Sequence, residues 1–281
     1  INNAAGDNNV LVGYSAGLGG TGALKNSIAI GNYSLDGTGA NDNLGSVAIG
    51  HYALSAATTG VNTALGYEAG KALTTGGGNV VIGLQAMLTS TSAASNVVIG
   101  QEAMRGAGSV TNSVVIGHSA GYNIKNGGDK IVHIGKNTGT YASASNNTFV
   151  GYEAGKGGTT SAPFSTGQYN TALGSGALTA FTTANYTVAI GNNAGNEITT
   201  GDGNTVIGYE AGSELKDDTG NTFLGAYSGY MVESDENTFI GYEAGEGSSG
   251  NTTGGQNTAV GYRSMENFTT GNKNTALGDS A

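Results

Sequence analysis

Asn62-Thr63-Ala64-Leu65-Gly66-Tyr67-Glu68-Ala69-Gly70 decides the reading of this chain, because the same phrase returns along its whole length. Near copies stand at 147–155, 204–212 and 237–245, each again Asn-Thr-x-x-Gly-Tyr-Glu-Ala-Gly. Working outward from these copies, Ile, Leu or Val followed by glycine recurs in the same phase sixteen times, from Gly13, Gly31 and Gly50 to Gly261 and Gly278. The fifteen intervals run from 16 to 23 residues, and seven of them are 17. A fixed period of this size is the mark of a stacked repeat, in which no single copy buries its own apolar face.

With each such glycine set at position zero, the residue types fall into columns. Position −1 is Ile, Leu or Val in every copy, position −3 is always β-branched, and position −4 is Asn in eleven copies. Position +3 is always small: Ala, Ser or Thr. β-Branched residues at alternating positions favour a strand, and the glycine supplies a positive φ or a corner where a Cβ would collide. A small residue three places on predicts a second segment pressed against the first. Asn residues in register predict amide ladders between successive rungs. The fold read from this pattern is all-β: a β-solenoid, wound as a β-roll of sixteen turns of about 17 residues, forming one continuous repeat domain over 1–281.

Composition agrees. The chain has 52 Gly, one Pro and no Cys or Trp, and its charged residues amount to 11%. It therefore has neither the regular glycine period of collagen nor the high charge of a disordered chain. A net charge of −10 argues against nucleic acid and against an anionic membrane surface. The absence of cysteine removes disulfides and thiolate metal sites, and no apolar run reaches the ~18–20 residues of a membrane-spanning helix. Because Ile1 is not a start methionine and Ala281 falls inside a repeat, the sequence reads as a piece of a longer fibre.

Position −2 carries the expectation about partners. If −1 and −3 face the interior, strand alternation turns −2 to the outside, and the eight Thr at −3 point inward. Yet −2 is apolar in every copy except His133. A strand apolar on both sides is normally covered on both sides, so the covering layer is expected to be another copy of the chain. The candidate interface residues on this reading are Val81, Val98, Val115, Phe149, Val206, Phe223 and Phe239. The two longest intervals are expected to protrude as loops, with Pro163, Phe164, Asn251 and Thr252 as their candidates.

The strands Asn26-Ser27-Ile28-Ala29-Ile30-Gly31, Ser46-Val47-Ala48-Ile49-Gly50 and Val188-Ala189-Ile190-Gly191 resemble the head repeats of trimeric autotransporter adhesins. The variant from Asn62 to Gly70 is also similar to repeats in the tail fibres of bacterial viruses. That resemblance covers essentially the whole chain. It implies a left-handed roll, a parallel homotrimeric fibre, an extracellular place on a cell or virion surface, and attachment to a host receptor or glycan. This chain departs from the adhesin repeat in having a longer turn of variable length. An ice- or carbohydrate-binding solenoid using a repetitive face is the alternative; an ice face needs a regular outward Thr array at constant turn length, whereas here the intervals run from 16 to 23 residues.

Several stretches imitate chemistry. Gly13-Tyr14-Ser15-Ala16-Gly17 and Gly117-His118-Ser119-Ala120-Gly121 match the G-x-S-x-G nucleophile elbow, but no helix follows them and both sit in the phase that elsewhere reads Gly-Tyr-Glu-Ala-Gly. The G-x-G-x-x-G match at Gly17, Gly19 and Gly22 lacks a βαβ setting. His51 and His118 follow the repeat glycine, and His133 lies in a strand, so they read as rungs and not as metal ligands. Asp217-Asp218 and Asp235-Glu236 read as solvated loops, lacking a calcium-repeat signature. Glu at +2 never occurs in adjacent copies, as a ladder avoiding stacked like charges requires. No enzyme activity, cofactor or metal is expected.

Overall fold

Each strand of the main ladder is three residues long and stops just before the repeat glycine. In the computed structural model the described residues are 7–19, 24–37, 43–125, 128–158, 164–248 and 252–281. Two compact units follow one another, Ile1–Ser145 and Asn146–Ala281. The first holds the strands Val10–Val12, Ile28–Ile30, Val47–Ile49, Thr63–Leu65, Val80–Ile82, Val97–Ile99, Val114–Ile116 and Val132–Ile134. The second holds Thr148–Val150, Thr171–Leu173, Val188–Ile190, Thr205–Ile207, Thr222–Leu224, Thr238–Ile240, Thr258–Val260 and Thr275–Leu277. Among the described residues there is no helix.

Within each unit every strand pairs in parallel with the next, position for position. Val80, Val81 and Ile82 lie beside Val97, Val98 and Ile99, and Thr205, Val206 and Ile207 beside Thr222, Phe223 and Leu224. Register survives the changes in interval: the 23-residue step still places Thr148, Phe149 and Val150 beside Thr171, Ala172 and Leu173. Added residues are taken up in the loops and leave the ladder intact. The result is a parallel β-solenoid in each unit, with a short additional pair, Leu24–Lys25 on Asn43–Leu44, in the first.

Position zero must be glycine for two reasons. Its φ lies near +135°, as at Gly13 (+136°) and Gly31 (+131°), where an L side chain is strained. A Cβ on Gly13 would also stand 2.6 Å from the carbonyl oxygen of Gly31 on the next rung. The chain then turns a corner with a left-handed residue at +2, such as Glu68 (φ 56°) or Glu153 (φ 55°), and the +3 amide closes back on the glycine carbonyl. The +3 side chain is driven inward by this corner, and Ala69, Ala154, Ala211 and Ala244 are fully buried.

The Asn column forms the expected ladder. In the first unit, the backbone N–H of each position −4 residue donates to the side-chain oxygen of the preceding one. The series runs from Asn9 through Ser27, Ser46, Asn62, Asn79, Asn96 and Ser113 to Ile131. The Asn79 amide donates at 2.9 Å to Asn62 Oδ1 and at 2.7 Å to the Ala93 carbonyl, so it fastens both the neighbouring rung and the returning loop. In the second unit Asn204, Asn221, Asn237, Asn257 and Asn274 repeat the arrangement. Each such buried bond contributes about 1 kcal/mol net, and breaking one costs more because its partner is left dry.

The remaining core is a volume exchange between position −2 and the left-handed position +4. Where −2 is Ala29, Ala48 or Ala172, position +4 is Leu35, Leu54 or Leu178. Where −2 is Phe149, Phe223 or Phe239, position +4 is Gly155, Gly229 or Gly245, and a Cβ there would overlap the ring. His133 takes the same setting, its ring against Gly139. Both members of such a pair draw on one narrow interior, and where both are small, as at Ala64 with Gly70 and Ala189 with Gly195, the buried Leu73 and Ile198 further along the same turn help to fill it.

Candidate functional site

The alternation of each strand is the reverse of the one expected. Val81, Val98, Val115, Phe149, Val206, Phe223 and Phe239 are all at 0% exposure within a single chain, so none of these position −2 residues is free for a partner. The expectation that they form an interface is corrected: they are the roll's own core. The reason is parity. Positions −4 and −2 share one face of a strand, and the Asn ladder at −4 needs the dry interior. Positions −3 and −1 therefore point outward, and so do the eight Thr, contrary to the inward placement expected of them.

That outer face runs without a break along the strands of each unit. Its −1 column is wholly Ile, Leu and Val; Leu65 and Leu173 stand 45% and 46% exposed, and the intervening members are half-buried. Its −3 column differs between the units. In Ile1–Ser145 it is Val or Ile on seven of eight strands, whereas in Asn146–Ala281 it is Thr on seven of eight. Thr205, Thr222, Thr238, Thr258 and Thr275 lie in unbroken register on five successive strands.

Of the loop candidates, Pro163 and Asn251 lie outside the described residues. Phe164 is half-buried. Thr252 is fully buried and does not protrude: it bridges Val232 in parallel, and its hydroxyl accepts a 3.0 Å hydrogen bond from the Ser248 N–H. A residue that closes a loop onto the neighbouring rung must turn inward, which corrects the expectation for that position.

Ser15 and Ser119 occupy the +2 corner with φ 54° and 53°. The same left-handed value holds at Glu68, Glu210 and Glu243, so it belongs to the corner and does not mark a nucleophile. Corner glutamates are largely met by a base three residues on. Lys71 Nζ donates to Glu68 Oε1 at 2.6 Å, and Lys156 lies 3.2 Å from Glu153. The Lys71 bond holds the Glu68 carboxyl below its ordinary pKa. This Glu-x-x-Lys spacing is visible in the sequence at Glu68-Lys71 and Glu153-Lys156. Glu243, Glu246 and Glu266 bring carboxylate oxygens within 4.8 Å of one another. A guanidinium already serves that group, Arg263 Nε donating to Glu243 Oε2 at 2.6 Å. An open depression of about 570 Å³ is lined by Asp218, Glu233, Asp235 and Glu236, and desolvation raises the pKa of half-buried Asp218.

His133 is completely buried, and burial pushes its pKa down to about 3, so it is neutral at ordinary pH. His51 belongs instead to a surface run of rings. It packs at 4.2 Å on Tyr52 and at 5.5 Å on Tyr67, while Tyr33 stacks on Tyr52 at 5.0 Å. A second aromatic run in the other unit joins Tyr209, Tyr227, Tyr242 and Tyr262.

No family model matches the chain, and neither the curated proteins nor the solved structures include a match.

Proposed function

We propose that this chain is a segment of an extracellular attachment fibre, a structural and adhesive protein and not an enzyme. Copies associate through the outer sheet face as a parallel homotrimer, with each roll wound left-handed as in the adhesin and tail-fibre repeats it resembles. The observation that carries this reading is the apolar −1 column beside a β-branched −3 column. Eight rungs at ~4.8 Å with a face roughly 10 Å across give each unit a stripe on the order of 400 Å². A patch of about 400 Å² matches the largest on an ordinary monomer, and such patches are often functional. Stiffness and length come from the stacking itself, while loops absorb insertions without disturbing the register.

Sedimentation equilibrium of the full chain tests the proposal. A mass three times 27.7 kDa is expected. Ile82→Lys combined with Ile116→Lys, both half-exposed in one chain, should reduce the mass to that of a monomer and leave the far-ultraviolet circular dichroism unchanged. A wild-type chain that stays monomeric at high micromolar concentration would overturn it.

One observation favours a second reading, an ice-binding face. The Thr ladder of the Asn146–Ala281 unit faces outward and keeps its register despite unequal loops. Thermal hysteresis decides between them, since the same face cannot be sealed in a trimer and lie on ice. The fibre reading expects none.

A further inference from the structure

We propose that the aromatic run Tyr209, Tyr227, Tyr242 and Tyr262 is a binding site for a neutral polysaccharide chain lying along the stack. These residues stand at the first or second position after the strand glycine on four successive rungs. Tyr209, Tyr242 and Tyr262 are 45%, 43% and 49% exposed, so their rings add little to the core. The corner does not require them either: Ser175 and Asn192 fill the same position on two other rungs of this unit.

The rings are held in place before any ligand arrives. Tyr227, half-buried, stands edge-on between Tyr209 at 5.2 Å and Tyr242 at 6.2 Å, and Tyr230 closes on it at 5.6 Å. Tyr242 and Tyr262 lie nearly parallel, 10° apart with centroids at 5.6 Å. Arg263 sits over the Tyr262 ring at 5.3 Å and is itself fixed by its 2.6 Å bond to Glu243. Rings already ordered by their neighbours lose little freedom on binding.

Fixed, exposed tyrosine rings suit the C–H faces of pyranoses, and the phenol and carboxylate oxygens beside them suit sugar hydroxyls. Glu210 lies beside Tyr209 and Glu243 beside Tyr242, within a chain of net charge −10, so anionic sugars and phosphates are repelled. Repetition at the ~4.8 Å rung spacing gives an extended glycan several weak contacts in a row, and these multiply in strength along one chain. This inference deepens the attachment reading by naming a ligand class, but it requires only one copy of the chain. Its failure is therefore separate from a failure to trimerise.

Native affinity electrophoresis of the full chain in gels containing hydroxyethylcellulose, galactomannan or mixed-linkage β-glucan tests it, with alginate as the anionic control. Retardation by at least one neutral polymer and none by alginate is expected. The triple variant Tyr209→Ala, Tyr242→Ala, Tyr262→Ala should lose about tenfold or more in affinity, as three stacking contacts imply. The corresponding triple Phe variant, which keeps the rings, should stay within about threefold. Circular dichroism and sedimentation of all variants should match the wild type. Absence of retardation by all three neutral polymers, retardation by alginate, or undiminished binding by a folded Ala variant would each refute the site.

Discussion

The exchange of volume between positions −2 and +4 can be put to a direct test at Phe223 and Gly229. Phe223 is fully buried and stacks on Phe239 with centroids 5.1 Å apart. A side chain on Gly229 would enter the space of its ring. Phe223→Ala alone opens a cavity and is expected to cost about 3–5 kcal/mol. Gly229→Leu alone forces Leu against the ring, about 1–3 kcal/mol, and adds the strain of a left-handed L residue, about 1–2 kcal/mol. If the two sites were independent, the double variant would lose the sum, on the order of 5–10 kcal/mol, enough to unfold an ordinary domain. They are not independent on the present account, since Ala48 with Leu54 and Ala172 with Leu178 already show the exchanged pair in this chain. The double variant should therefore retain only the left-handed strain and a small misfit, about 2–3 kcal/mol, with a coupling energy of about 3–7 kcal/mol. Urea denaturation followed by circular dichroism measures the three variants. Hydrogen exchange of the amides in 220–245 shows whether the damage is local, a needed control in an array whose rungs can open separately. A double variant as unstable as the sum of the singles would refute the shared interior.

Two further expectations follow from the same interior. His133 has its pKa lowered to about 3 by burial, against about 6.5 unfolded, so the unfolded chain takes up its proton first. Stability should fall as pH drops from 6.5 towards 3, by about 3 kcal/mol at pH 4, and His133→Phe, matching the Phe-Gly pairs elsewhere, should flatten the melting temperature between pH 7 and 4. Asn79→Ala should cost about 2–4 kcal/mol in chemical denaturation, because it strips the Asn96 N–H and the Ala93 carbonyl of their buried partner; Asn79→Ser, as at Ser46 and Ser113, should recover part of that loss.

Much of the architecture is legible without coordinates. The period of Gly-ended phrases locates every three-residue strand, and the columns of Asn and Ala identify the ladder and the tight corner. Two signals in the sequence bear on the inward face without fixing it. Asn at −4 demands a dry ladder and carries −2 with it by parity, and Gly at +4 accompanies every Phe at −2. Those two signals join residues two and six places apart, and reading −1 and −3 as the inner pair leaves them unused. The sequence shows Tyr after the glycine in six copies and reads as a structural aromatic ladder at the corner, but Tyr227 sits one place later than Tyr209 and Tyr242 in its repeat. Only the folded corner brings the three rings together.

The sequence by itself determined where the chain turns, which residues form strands, and that successive turns must stack. These are local properties, set by φ at glycine, by β-branching and by a period no single turn can satisfy alone. The direction in which each strand presents its side chains was decided by the tertiary structure. Alternation creates two faces but does not say which is inside. A roll this narrow admits one column per strand, and the corner at Gly66 or Gly225, closing over a buried +3 residue, assigns it to −2. That choice puts the phenylalanines in the core and leaves the Ile, Leu, Val and Thr columns facing outward.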